Sequence, residues 1–287
     1  MTFQFQIQNK FRSFAQWFKS DGRHFQIVSQ VFFLCYGILA LGWNADYLKY
    51  LCAFGGSLGA QLLAIKYAGF PSHSIKSAII TSLGLSLLLK ANSPWLFLFA
   101  ALFAIGQKFL VKIKGKHLWN PANFGIVLVI LLSGEAWISP GQWGSEALLV
   151  FIIGTAGLAV LSSVKRLDTG IIFILTLAAL EYGRVVLYLG WGHDVWLHKM
   201  CNGSLWLFAF FMITDPMTSP NARITRVIWA MSIAAISFYI ANFYFINAAP
   251  FWVLFFATPL TPLLDFLAKG KAFQWIRSTS SVQSTSL

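Results

Sequence analysis

Charge is what this 287-residue chain has least of. Only 10% of its residues are Asp, Glu, Lys or Arg, whereas soluble domains carry about a quarter. Too few charged side chains exist to cover a water-facing surface, which excludes a soluble enzyme and a disordered tail. Acidic residues are the scarcer sign, nine against 21 Lys and Arg. Cysteine is sparse as well: Cys35, Cys52 and Cys201 lie far apart in or beside apolar runs. That excludes a disulfide scaffold, and no CxxC pair or His-rich cluster offers a metal site. No Walker loop and no HExxH occurs. The first 24 residues are polar and aromatic with no small-residue cleavage site after them, so they do not read as a signal peptide.

What the chain has is apolar length. It is 57% hydrophobic, with 28 Phe, 12 Trp and 8 Tyr and a mean hydropathy of +0.69. This composition predicts an all-α polytopic membrane protein. Ten apolar stretches stand out, at 26–43, 47–66, 74–89, 95–111, 121–134, 147–163, 169–190, 203–214, 225–243 and 249–267. The third and eighth are too short to cross roughly 30 Å of hydrocarbon as regular helices. Broken helices at that depth are tolerated only where they are buried in protein or line a cavity. Ahead of the first stretch, Phe3, Phe5, Phe11, Phe14, Trp17 and Phe18 interleave with Lys10, Arg12 and Lys19, the pattern of an amphipathic segment lying on the inner leaflet.

The net charge of +12 then becomes a topological signal. With the N-terminus inside, 17 basic residues fall in inner segments, Lys49, Lys90 and Lys199 fall in outer loops, and Arg184 lies within a span. Lysine and arginine in short loops stay cytoplasmic, so the distribution predicts both termini inside a bacterial inner membrane. The charge needs no nucleic acid to explain it. The expected organisation is a cytoplasmic segment at 1–24, five-helix repeats at 25–145 and 146–268, and a polar tail at 269–287.

Two five-span halves must insert in opposite orientations. The short third stretch ends Lys90-Ala91-Asn92-Ser93-Pro94, and the short eighth ends Thr214-Asp215-Pro216-Met217-Thr218-Ser219-Pro220. The fifth opens Asn120-Pro121-Ala122-Asn123, and the tenth opens Asn247-Ala248-Ala249-Pro250. Paired short, Pro-interrupted segments point to inverted repeats with a site at their interface. The same residues also serve simply to start and stop helices.

Four places carry polar chemistry. Asn120 with Pro121 is an N-cap and first-turn proline, and free N–H groups at such a helix start also suit an anion. Asp215 sits at a span boundary, where it either caps a turn or accepts from a buried ligand N–H. Glu181 and Arg184, three residues apart on one helix, form either a self-neutralised pair or an ion or ligand site at membrane depth. Asp265 follows Thr258-Pro259-Leu260-Thr261-Pro262, whose two prolines free backbone carbonyls. With the Thr258 and Thr261 hydroxyls these carbonyls suit a cation, or the segment is a plain kink. Gly55-Gly56-Ser57-Leu58-Gly59 reads as a small-residue helix-packing face. His193, Asp194 and His198 share an outer loop at a spacing that suits no metal.

In this order, Asn120-Pro121-Ala122, Thr214-Asp215-Pro216 and the run from Pro259 to Asp265 resemble a known membrane family. It unites the B subunit of the sodium-translocating NADH:quinone oxidoreductase with the D subunit of the Rnf complex. The resemblance covers roughly residues 26 to 267. It implies a flavin-bearing subunit of an ion-pumping redox complex, with FMN esterified to the threonine of a Ser-Gly-Ala-Thr motif and riboflavin in some members. This sequence has no Ser-Gly-Ala-Thr, and the corresponding loop, Ser133 to Gly144, is short. In that it looks like a shorter branch named from enediyne biosynthesis gene clusters. The resemblance therefore implies a non-covalent FMN or riboflavin held by Asn120, Pro121, Asn123, Thr214 and Asp215. Glu181, Arg184 and Asp265 are the ion-path candidates, and the bilayer and other redox subunits are the partners. Two other readings stand beside it. One is a non-redox transporter or channel for a small solute or vitamin. The other is a non-catalytic anchor that docks a redox partner through Lys108, Lys112, Lys114 and Lys116.

Overall fold

The computed structural model describes residues 21–144, 147–164, 166–246 and 248–273. The amphipathic segment through Ser20, Asn247 and the tail beyond residue 273 lie outside the described residues. Helices dominate, and their ends follow local rules. α1 (Gly22–Leu39) is capped by Asp21, whose carboxylate accepts the Arg23 N–H. α2 (Tyr47–Ala68) is capped by Asp46 and stops at Gly69, whose φ of 67° suits a residue without a Cβ. A short turn leads to α3 (Ile75–Leu88). α4 (Pro94–Leu110) and α5 (Pro121–Ser133) each open with a polar N-cap, Ser93 and Asn120, followed by proline. α6 spans Ala147–Val164. α7 (Leu167–Tyr182) continues as a π-helical turn to Tyr188. A short α8 (His193–Met200) precedes α9 (Gly203–Leu207), which also ends in a π turn, Phe208–Met212. α10 (Arg223–Phe243) and α11 (Ala249–Ala257) follow, and a 3-10 turn at Thr258–Leu260 joins α11 to α12 (Thr261–Leu267).

Among the described residues, four helical stretches are long and apolar enough to cross a membrane: Tyr47–Ala68, Leu167–Tyr188, Arg223–Phe243 and Ala249–Leu267. Shorter apolar helices fill the space between them, including Pro94–Leu110, Pro121–Ser133 and Gly203–Met212. Large apolar side chains such as Leu51, Leu63, Phe151, Phe256 and Leu263 stay exposed on the helix exteriors. In water they would form an aggregation-prone surface; in a bilayer they face acyl chains.

Two small ribbons qualify the all-α expectation. β1 (Leu89–Ala91) pairs antiparallel with β4 (Ala136–Ile138), Leu89 opposite Ile138, and β2 (Lys112–Ile113) pairs with β3 (Lys116–His117). The first ribbon ties the end of α3 to the loop after α5. Trp143, fully buried, meets Trp43 edge-on at 4.7 Å there, and the Trp43 indole donates to the Gln142 carbonyl at 2.8 Å.

The helices pack in a repeated pattern. α2 lies against α3 and α4, α4 against α5, and α1 against α3; α7 lies against α10, α10 against α11, and α6 against α9. α1 touches α6 and α5 touches α11. Gly125 of α5 lets the backbone of α4 come close, since a Cβ there would strike the Ala100 carbonyl. Within the expected packing face on α2, only Gly56 is closely approached; Gly55 and Gly59 meet nothing. Those five residues also spell G-x-S-x-G, a string that in hydrolases marks a strand-to-helix elbow. Here they lie inside a continuous helix with Ser57 wholly buried, so no elbow exists.

Arg23 belongs to α1 and is buried. Asp21, 6% exposed, binds the Arg23 Nη2 at 2.7 Å and the Lys76 Nζ at 2.9 Å. Burial pushes the Asp21 carboxyl upward, but Arg23 and Lys76 outweigh it and hold it well below the usual carboxylate range. A depressed native pKa stabilises the fold above the unfolded value, about 3.9, and that contribution is lost as pH falls further. In a detergent melt, wild type should exceed Asp21→Asn in Tm at neutral pH, and the gap should shrink below about pH 4. A gap independent of pH would refute this assignment.

Candidate functional site

A cavity of about 350 Å³ opens where α3 and α5 begin and α4 and α9 end. Its apolar depth is formed by Leu87 and Leu88 of α3, Val160 and Leu161 of α6, and Leu207, Phe210 and Phe211 of α9. From Ser77 to Leu88 the α3 wall rises about 16 Å. Thr81 and Gln30 interrupt the apolar lining, while Arg23, His73, Lys108 and Lys112 gather at the mouth.

Of the residues expected to bind a ligand, Asn120, Pro121, Thr214 and Asp215 meet at this cavity. Asn120 opens α5, and its Oδ1 accepts the Asn123 N–H at 3.1 Å, so the asparagine caps its own helix. Its Nδ2 then reaches across 95 residues of sequence and donates to Asp215 Oδ2 at 3.2 Å. Asp215 Oδ1 accepts the Met217 N–H at 2.9 Å, and His117 Nε2 lies 3.7 Å from Oδ2. Burial pushes the Asp215 carboxyl upward, and the neighbouring His117, the Met217 amide and the Asn120 amide together hold it below its ordinary value. The carboxylate is therefore ionised at neutral pH. His117 Nε2 is itself buried with no hydrogen-bond partner.

Thr214 lines the wall, with its hydroxyl donating to the Phe210 carbonyl at 2.7 Å. Asn123 does not line the cavity; its Nδ2 donates to the Phe251 carbonyl at 3.1 Å, towards α11.

The loop carrying Asp215 is fixed from both sides. The Asp215 carbonyl accepts the N–H groups of Thr218 and Ser219, both wholly buried. Lys116 Nζ donates to the Ser219 carbonyl at 2.8 Å and pairs with Asp265 Oδ2 at 2.9 Å. Asp265 also accepts the Asn221 backbone N–H at 2.6 Å and its Nδ2 at 2.9 Å. Arg166 donates to the Pro220 carbonyl at 3.3 Å, and Arg226 to the Asn221 carbonyl at 2.6 Å and Asp168 Oδ2 at 2.7 Å. Burial and the neighbouring Arg226 bring Arg166 down to about 10, against the pull of Asp168, Asp215 and Asp265. It stays protonated at neutral pH.

Asp265 is thus a loop clamp away from the cavity wall. Thr258 and Thr261 donate to the carbonyls of Phe255 and Thr258 at 3.4 and 2.8 Å, relieving the kink locally. Glu181 and Arg184 are not each other's partners. The π turn starting at Gly183 carries Arg184 over the Phe243 ring, 4.7 Å from its centre. Glu181 instead holds Lys199 Nζ at 2.7 Å and accepts from Asn242 Nδ2 at 2.7 Å. Both lie at the opposite end of the bundle from the cavity.

Counting charges by loop hides the cations at the mouth. Lys108 and Lys112 read as topology signals, yet both line the cavity, Lys108 from the last turn of α4 and Lys112 from β2 beyond the helix end.

A model of the NQR2, RnfD, RnfE family matches residues 131–274, half of the chain. The match takes in Glu181, Thr214, Asp215 and Asp265. The chain is also similar to the D subunit of the ion-translocating oxidoreductase complex of Stutzerimonas stutzeri, with 24% identity over an alignment of 309 residues. That alignment covers 83% of this chain and 87% of the relative.

Proposed function

The chain belongs to the NQR2, RnfD, RnfE family, and from that premise we propose that it is a membrane subunit of an ion-translocating redox complex, with a flavin held non-covalently in the cavity between its two halves. The observation that carries this reading is the Asp215–Asn120–His117 cluster, in which hydrogen bonding joins the first and second halves at the wall of a cavity. A cavity of about 350 Å³ is at the small end of the range for ligand pockets.

The helix pairing supports an inverted repeat. The contacts α2–α4, α4–α5 and α1–α3 recur as α7–α10, α10–α11 and α6–α9, and α1–α6 and α5–α11 link the halves. Five spans per half would put the halves in opposite orientations, an arrangement in which ligand sites lie at the repeat interface. The basic loops favour a cytoplasmic cavity mouth.

The residues present suit a flavin. The apolar depth takes a planar ring system, and the buried, unpartnered His117 Nε2 is a polar atom that a ligand would satisfy. Asp215, already ionised, accepts from Asn120 and the Met217 amide and so fixes the Asn120 side chain. When bound, a flavin would supply one-electron transfer between a donor and an acceptor. The protein supplies a water-poor wall and a fixed anion beside it. With no Ser-Gly-Ala-Thr, binding rests on these contacts alone.

Protein purified in mild detergent should carry a visible flavin absorbance band and release flavin when denatured. Absence of flavin from both the native protein and the denatured extract would overturn the reading. A non-redox carrier, which inverted repeats also build, predicts instead solute flux in flavin-free liposomes.

A further inference from the structure

Resting on the flavin reading, we propose that the cavity's ligand carries a phosphate group at the mouth, held by Lys108 and Lys112, so that FMN is bound in preference to riboflavin.

The argument starts from charge balance at the mouth. Asp215 is the only carboxylate lining the cavity among the described residues, and it is already engaged by Asn120 and the Met217 amide, with His117 Nε2 at 3.7 Å. Arg23 at the same mouth is neutralised by Asp21. Lys108 and Lys112 have no carboxylate within 4 Å among the described residues. Lys108 Nζ donates to the Ser77 hydroxyl at 3.0 Å and the Gln61 side-chain carbonyl at 3.4 Å, both neutral acceptors. Gln61 is held in turn by its donation to Ser74 Oγ at 2.8 Å. Lys112 Nζ lies 4.1 Å from the centre of the Phe70 ring and 5.6 Å from that of Phe109.

Two lysines, Lys108 in the last turn of α4 and Lys112 just past the helix end on β2, thus line the cavity, held by hydroxyl, amide and aromatic faces. For Lys108, which is half-buried, a cation taken from water into such a setting is costly to leave unmatched, and these contacts recover only part of its hydration. A doubly charged phosphate between them would restore the balance through charge-assisted hydrogen bonds. The other end of the cavity is apolar. The ligand is therefore amphipathic, with a ring or chain inward and its anion at the mouth, which FMN satisfies and riboflavin does not.

The test measures FMN and riboflavin binding to the detergent-purified protein by quenching of flavin fluorescence. FMN should bind about tenfold or more tightly than riboflavin. The ratio should fall close to one in Lys108→Gln and in Lys112→Gln, the second being the safer variant because Lys112 is exposed on the β2 strand. Equal affinities in wild type would overturn the phosphate assignment while leaving the flavin reading intact. If neither flavin binds, the flavin reading fails, and inorganic phosphate then decides the anion site on its own. At fixed ionic strength, phosphate should raise the Tm of wild type and not of either lysine variant. No such difference would overturn the site.

Discussion

Arg226→Gln should be the most damaging single exchange on the cavity side. The Arg226 side chain is 9% exposed, and it joins the Asn221 carbonyl to Asp168, whose own side chain is 15% exposed. Removing the guanidinium leaves a half-buried carboxylate whose remaining ion-pair partner among the described residues is Arg223, at 3.8 Å on a side chain 82% exposed. Breaking a fully buried pair costs about 3–5 kcal/mol because one charge is left uncompensated, and the partial exposure of Asp168 puts this loss at or below the lower end. The loss reaches the cavity, since Asn221 ends the loop that starts with Asp215. The expected result is a lower Tm in detergent together with loss of bound flavin. The double variant Arg226→Gln with Asp168→Asn removes both charges and should recover part of the stability. If the double variant is as unstable as the sum of the two single variants, the pair is not what holds the loop.

The reach of the sequence follows from what each signal encodes. Apolar runs bounded by Asn, Ser, Gly and Pro report where a helix starts and stops, because caps and proline act within a few residues. Asn120-Pro121 therefore opens α5 where expected, and Gly134, in the left-handed region, closes it. The meeting of Asn120 with Asp215 was legible only through the family resemblance, which implies one ligand site for both, since neither residue's neighbours point to the other. Other features depended on backbone detail that residue spacing does not carry. Glu181 and Arg184 share a face on a regular helix, and one π turn between them gives them different partners. Asp265 follows two prolines that suggest a cation site, yet its partners come from β3 and the loop before α10. Lys108 and Lys112 were visible as charges and hidden as cavity-lining residues, because a lysine that fixes topology and one that lines a cavity look the same in sequence. The β1–β4 ribbon, three residues a side, is too short to show any periodicity.

Gly125→Val should separate α4 from α5. A Cβ on Gly125 would strike the Ala100 carbonyl and crowd the Ala104 side chain, and a backbone oxygen cannot turn aside as a side chain can. Between apolar helices in a bilayer, association rests on close packing because lipid is as apolar as the side chains it replaces. Overpacking of this kind costs about 1–3 kcal/mol and more when the backbone must move. The effect should exceed simple destabilisation. α5 begins at Asn120, so displacing it moves the amide that donates to Asp215, and flavin content should fall further than Tm alone would account for. Gly55 and Gly59 provide the internal control, since a Cβ at either meets nothing within 4 Å. Alanine at those two positions should be neutral or slightly stabilising, because glycine in a helix interior costs about 0.5–1 kcal/mol relative to alanine. A Gly125→Val protein with wild-type Tm and flavin content would show that α4 and α5 do not meet at Gly125. Loss of stability at Gly55 or Gly59 as large as at Gly125 would mean that helix propensity, and not the approach of α4, sets the cost.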